Sequence, residues 1–145
     1  MKIYLAGPFF NKQERDNIIK AKNILGSKDL DVFVPMEHKF LDDDKMPNGV
    51  WGRLVYDYDK ENLYQCDALV CVYYGLYSDS GTAWEVGFAT ALNKKVIVVH
   101  MDCNVVGSIM INNSANYNID GLKSLKKFNF EIFNNNISNA NVEQK

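Results

Sequence analysis

Short apolar runs rich in β-branched and aromatic residues recur along the chain: Lys2-Ile3-Tyr4-Leu5-Ala6, Val32-Phe33-Val34, Ala68-Leu69-Val70-Cys71-Val72-Tyr73 and Lys95-Val96-Ile97-Val98-Val99-His100. Continuous runs of this kind suit strands buried on both faces, the habit of parallel sheets. Between them, apolar residues return every three or four positions. Ile18, Ile19, Ala21, Ile24 and Leu25 form one stripe, Leu54, Val55, Tyr58 and Leu63 a second, and Val86, Phe88, Ala89 and Leu92 a third. Such spacing marks one face of an amphipathic helix.

Strands alternating with helices predict βαβ units, whose right-handed crossovers lay helices on both faces of a parallel sheet. The expected fold class is α/β, a single-domain flavodoxin-like or Rossmann-like parallel sheet. In such sheets a ligand crevice opens at the carboxyl ends of the strands, here the turns after Ala6, Val34 and Tyr73. The aperiodic stretch from Glu37 to Gly49, with its Asp42-Asp43-Asp44 run, is long for a connection and fits a binding loop or a solvated one. The domain is expected to occupy residues 1–133, followed by an Asn-rich, flexible tail over residues 134–145 that has little to bury.

Composition narrows the function. A chain of 145 residues that is 47% hydrophobic supports one packed core. Sixteen Lys and Arg against 18 Asp and Glu leave a net charge of -2, which offers no basic footprint for a nucleic-acid backbone. With no apolar stretch long enough to span a bilayer and no signal-like segment before the first strand, a soluble, cytoplasmic protein is expected. Cys66, Cys71 and Cys103 are odd in number and lack CxxC spacing, so buried free thiols are favoured over a disulfide frame or a zinc site. His38 and His100 lack a ligand pattern, and no metal or organic cofactor is expected.

Two strand-end turns carry candidate chemistry. After the first strand, Gly7 permits a tight turn and close backbone approach to a ligand, and Phe9 and Phe10 follow at the crevice mouth, suited to packing or to stacking on a base. No GxGxxG is present, so a dinucleotide fingerprint is absent. After the third strand, Tyr77-Ser78-Asp79-Ser80-Gly81-Thr82-Ala83-Trp84-Glu85-Val86-Gly87 runs from a polar turn into a helix. Thr82-x-x-Glu85 fits a capping box, in which Glu85 would only satisfy a backbone donor. Yet Asp57, Asp59, Asp79 and Glu85 crowd the same crevice, and glycosidic chemistry needs carboxylate pairs with pKa values pushed apart. Tyr4, on the first strand, points either to the crevice or into the core.

Lys2-Ile3-Tyr4-Leu5-Ala6-Gly7-Pro8 together with Asp79-Ser80-Gly81-Thr82-Ala83-Trp84-Glu85-Val86-Gly87 resembles the nucleoside 2-deoxyribosyltransferases, over roughly Met1 to Phe133. The resemblance implies a nucleophile at Glu85, a carboxylate at Asp79 that grips the sugar 5'-hydroxyl, and an Asp59 that assists proton transfer to the base. It further implies that Tyr4 orients the nucleophile and that Phe9 stacks on the base. The reaction so implied is a retaining double displacement through a covalent deoxyribosyl-Glu85 intermediate, with 2'-deoxynucleosides and free nucleobases as substrates. A homo-oligomer is implied too, in which a neighbour completes each site.

One departure stands out. Where the transferases usually lend an Asn-x-Met to the neighbouring site, this chain reads Ser108-Ile109-Met110, so Ser108 and Met110 are the expected cross-subunit contributors. Serine there is more similar to the related deoxynucleotide N-hydrolases, whose serines help hold a 5'-phosphate. Asp79 argues the other way, because its carboxylate would repel that phosphate. The sequence thus favours a transferase over a deoxynucleotide hydrolase, with a non-enzymatic nucleotide-binding module as the third reading. Glu37-His38-Lys39 matches no one base preference.

Overall fold

The computed structural model describes residues 1–41 and 43–134. Asp42 of the acidic loop and the expected tail beyond Asn134 lie outside the described residues. The strands are β1 (Lys2–Ala6), β2 (Asp31–Phe33), β3 (Ala68–Tyr73), β4 (Lys95–His100) and β5 (Tyr117–Asp120). They form one sheet in the order β2-β1-β3-β4-β5, every pair parallel. This is the flavodoxin-like order, in which the crossovers change direction between β1 and β3. The helices are α1 (Lys12–Gly26), α2 (Asn48–Gln65), α3 (Ser80–Ala91), α4 (Ile109–Ser114) and α5 (Gly121–Lys127).

Alternation along the strands sorts the core into two layers. Ile3, Leu5, Val70, Val72, Ile97 and Val99 face one side, where Ile18, Ala21 and Leu25 of α1 and Leu125 of α5 cover them. Tyr4, Ala6, Leu69, Cys71, Tyr73, Val96 and Val98 face the other, under Leu63 of α2 and Val86 and Ala89 of α3. Helices on both faces are therefore what the apolar runs demand, and the period of two sends Tyr4 toward α2 and α3.

Local chemistry sets the element ends. Asn11 and Glu14 close α1 with a reciprocal capping box. Gly7 lies where β1 runs against its neighbour: a Cβ there would sit 2.8 Å from Ile18 Cδ1 and 3.0 Å from the Val72 carbonyl oxygen. Only glycine lets the chain leave β1 at this point without displacing backbone.

Several expectations need correcting. β2 spans Asp31–Phe33, one residue earlier than Val32–Val34. Ile19 and Leu54, placed in the helical stripes, are exposed. Cys66 and Cys71 are buried free thiols, but Cys103 is exposed, because it falls in the loop after β4. The stretch after β2 holds two short 3-10 turns, Pro35–Glu37 and Asp43–Lys45, before α2 begins at Asn48. No helix among the described residues is long and apolar enough to cross a membrane.

Candidate active site

The site grows from the inner face of β1. The Tyr4 ring is fully buried, and its hydroxyl donates to Glu85 Oε1 at 2.6 Å. Both alternatives for Tyr4 are thus realised in one residue, a core ring with its hydroxyl aimed at a carboxylate. Glu85 reaches it from the second turn of α3.

The structure also decides what caps that helix. The N-cap is Asp79, which accepts from the Thr82 backbone N–H at 3.3 Å and also from the Thr82 hydroxyl. Thr82 is therefore the third residue of the helix, and the Thr82-x-x-Glu85 capping box does not form. A capping carboxylate must reach back to the first turn; Glu85 instead bonds to a different element.

Asp59 comes from α2 and lines a cleft of about 280 Å³ with Glu85, Tyr56, Gly81 and Trp84. Burial is the largest cause that pushes the Glu85 carboxyl from its ordinary 4.5 up to about 8; the negative charges of Asp59 and Asp79 add to it, and the Tyr4 hydrogen bond opposes it. Burial alone pushes Asp59 up to about 6. Tyr4 is driven far above the usual phenol range, first by burial and then by the Glu85 charge, so it stays a hydrogen-bond donor. The Cys71 thiol beneath is likewise raised, by burial and then by Glu85 and Asp79. Two carboxyls with separated, elevated pKa values beside one cleft mark a candidate acid-base and nucleophile pair. Asp57, counted among the crowding carboxylates, turns away and pairs with Arg53 at 2.7 Å.

Other expected site residues sit apart. Asp79, Ser108 and Met110 line a second cleft of about 540 Å³ between α3 and α4. The Ser108 loop is pinned there by its backbone N–H, which donates to the Tyr73 hydroxyl at 2.8 Å. Within one chain, Ser108 and Met110 do not line the Glu85 and Asp59 cleft. Phe9 is 38% exposed and stacked on Phe10 at 6.0 Å between centroids, and lines neither cleft. Its loop is held from α1, where Glu14 Oε2 accepts from the Phe10 N–H at 2.7 Å and Arg15 Nη1 donates to the Phe9 and Phe10 carbonyls at 3.3 Å each. Sequence reasoning missed Tyr56, Trp84 and Tyr73. A signal existed for the first: Tyr56 stands three residues before Asp59, hence on the same helical face.

Fold and cleft together define a doubly wound α/β domain with carboxyls gathered at the carboxyl ends of its strands, the place such domains bind and transform ligands. The chain belongs to the nucleoside 2-deoxyribosyltransferase family, whose model matches residues 3–141. It is similar to a 2-deoxyribosyltransferase from the psychrotolerant bacterium Bacillus psychrosaccharolyticus, with 28% identity and a TM-score of 0.83 over 92% of this chain and 96% of that one. A conserved protein from Enterococcus faecalis is 26% identical, with a TM-score of 0.61 over 89% of this chain and 87% of that one. A CMP N-glycosidase from Clostridium botulinum shares the fold at 19% identity, with a TM-score of 0.62 over 88% of this chain and 97% of that one. No curated protein sequence matches. Both the α/β fold and the resemblance carried by β1 and the start of α3 are borne out. As a member of this family the protein is a glycosyl-transferring enzyme whose substrates are nucleosides and nucleobases.

Proposed function

We propose that the protein exchanges the base of 2'-deoxynucleosides by two displacements at C1', with Glu85 as nucleophile. The observation that carries this reading is the 2.6 Å hydrogen bond from Tyr4 to Glu85 Oε1, set beside Asp59 in one cleft. Tyr4 fixes one carboxylate oxygen, and the other is assigned the attack. The Glu85 oxygen bonds to C1', the C1'–N bond breaks, and the base leaves with its electron pair and a proton from Asp59. The incoming base then attacks C1' through nitrogen, Glu85 departs as carboxylate, and the base's proton returns to Asp59. Two inversions give net retention, by the logic of retaining glycosidases.

Between about pH 6 and about 8 the two carboxyls hold one proton between them. Moved from Glu85 to Asp59, that proton creates nucleophile and acid together. The poorly solvated Glu85 carboxylate is reactive for the same reason that it is costly to form. Asp79 retains lone pairs beyond those used by Thr82 and is assigned to the sugar 5'-hydroxyl; Phe9 and Gly7, which line neither cleft within one chain, are assigned to the base side. Ser108 and Met110, which in their own chain line a cleft other than that of Glu85 and Asp59, are assigned to the site of a neighbouring subunit in a homo-oligomer. Residues 1–133 would be the catalytic domain. Free thiols at Cys66 and Cys71 suit the reducing cytoplasm.

A second reading, hydrolysis of deoxynucleoside 5'-monophosphates, draws on the hydroxyls of Ser78, Ser80 and Ser108 around the larger cleft. The Asp79 carboxylate among them would repel a phosphate, which weighs for nucleosides. Chromatography of the protein incubated with deoxyinosine, with and without adenine, tests the choice. Deoxyadenosine formed only with adenine and intact Glu85 supports transfer. Free base released solely from the 5'-phosphate sinks it.

A further inference from the structure

The Tyr4 hydroxyl can hold Glu85 only while its ring keeps one direction. In the register of the sheet Tyr4 stands between Phe33 of β2 and Leu69 of β3. β2 is an edge strand, so on that flank Phe33 is the last side chain of the sheet beside Tyr4. The two rings lie 5.2 Å apart at 42°. Phe33 in turn meets Tyr58 of α2, the residue before Asp59, at 5.6 Å and 60°. The loop after β2 clamps Tyr58 from outside: His38 stacks on it at 3.8 Å and 21°, and Phe40 stands edge-on to both, 4.5 Å from His38 and 5.7 Å from Tyr58. The backbone at Tyr58 is tied as well, because the buried Asn62 donates to its carbonyl at 3.0 Å and accepts from Lys2 Nζ of β1 at 3.3 Å. Phe33, His38, Phe40 and Tyr58 do not line the cleft of Asp59 and Glu85.

We propose that Phe33 is a positioning residue for the reaction: braced by Tyr58, it holds the Tyr4 ring so that the hydroxyl stays on Glu85 Oε1. The inference rests on the reading of Glu85 as nucleophile and adds what aims it. An O–H bond to a carboxylate at 2.6 Å is short and weakens steeply when its angle departs from linear. The hydroxyl is the far end of the tyrosine side chain, so a small rotation at Cβ displaces it more than any other atom of the ring. Leucine at position 33 keeps apolar cover over the sheet edge but removes the flat face on which Tyr4 rests, and a core closes only partly around such a loss. Tyr4 then gains freedom to turn, and the bond to Glu85 is made for a smaller fraction of the time. A Phe33 that merely covered the edge would cost stability when truncated and leave Glu85 as it was.

Titration of the Glu85 carboxyl, followed by NMR in protein carrying carboxyl-labelled glutamate, reads the aim without any turnover; the signal is identified by its absence from Glu85→Gln. The titratable groups that face Glu85 are Tyr4 of β1, Asp59 of α2, Asp79 at the N-cap of α3 and Cys71 of β3, and Phe33→Leu changes none of them. Tyr4→Phe removes a bond that lowers the Glu85 pKa, so the titration should move to higher pH. Phe33→Leu should move it in the same direction by a part of that, and Phe33→Tyr, which keeps the ring, should return it to wild type. Added to Tyr4→Phe, Phe33→Leu should move it no further, because the two act through one bond. In the exchange assay Phe33→Leu is expected to lower kcat about threefold with little change in KM. Phe130→Leu, which thins the core on the opposite face of the sheet, should cost stability yet leave the titration in place. A Phe33→Leu titration that stays put or moves to lower pH, an equal move in Phe130→Leu, or a further move on top of Tyr4→Phe overturns the positioning role. Should wild-type protein show no base exchange, the transfer reading fails, and the titration still decides whether Phe33 aims Tyr4.

Discussion

Replacing Glu85 by Gln separates a buried reactive carboxylate from a structural one, because the two differ in the sign of their effect on stability. Burial holds this carboxyl at about 8 against its ordinary 4.5. A group whose folded-state pKa is raised contributes stability that is fully present below its unfolded value, 4.5, and is lost as pH rises through about 8. At about 1.4 kcal/mol for each tenfold change, the full rise corresponds to roughly 5 kcal/mol. Water reaching this half-buried side chain trims that to about 2 kcal/mol. Gln has the same shape, cannot ionise, and still accepts from Tyr4. Glu85→Gln should therefore match wild type in urea denaturation near pH 4.5 and be more stable by about 2 kcal/mol near pH 9, at equal protein concentration, while losing transfer. A helix-capping carboxylate behaves in the opposite way: its pKa is depressed, and its loss destabilises at neutral and alkaline pH. A variant less stable than wild type near pH 9 would make Glu85 a structural carboxylate rather than a buried reactive one.

Three further substitutions probe the neighbours. Tyr4→Phe removes the 2.6 Å bond that pulls the Glu85 pKa down, so kcat should fall on the order of tenfold and the alkaline limb of the kcat/KM profile should move to higher pH; an unchanged profile counts against Tyr4. Wild type should show a bell with limbs near 6 and 8. Asp59→Asn should lower kcat by about a hundredfold and abolish the alkaline fall, since only Glu85 then titrates, whereas a retained bell excludes Asp59 as the acid. Asp79→Asn keeps an efficient helix cap, so thermal stability should hold while KM for deoxynucleosides rises and discrimination against 5'-phosphates weakens. Loss of stability with unchanged KM would leave Asp79 as a cap alone.

The apolar runs made β1, β3 and β4 legible to the residue, because strands buried on both faces show as unbroken apolar runs, bounded in β1 and β4 by the part-buried Lys2, Lys95 and His100. β5 was not legible: Tyr117-Asn118-Ile119-Asp120 lies at the sheet edge, and three of its four residues are exposed, Ile119 alone being part-buried. α4 and α5, at six and seven residues, are too short to show a helical period. In the site, the motif around Glu85 was visible, but spacing could not decide between cap and reactive carboxylate. That choice depends on Asp79 taking the cap and on Tyr4 meeting Glu85 across 81 residues of chain. Trp84 escaped notice for a related reason. Beside Glu85 on a helix it reads as core, and only the packed structure leaves its ring exposed beside the cleft.

Covalent catalysis by Glu85 is tested most directly by mass spectrometry of protein quenched during turnover of deoxyinosine without an acceptor base. A fraction of the chains should be heavier by one 2-deoxyribosyl group, with the addition on the peptide that contains Glu85, absent from Glu85→Ala and discharged when adenine is added. Turnover that proceeds with no adduct, or with one on another side chain, would contradict it.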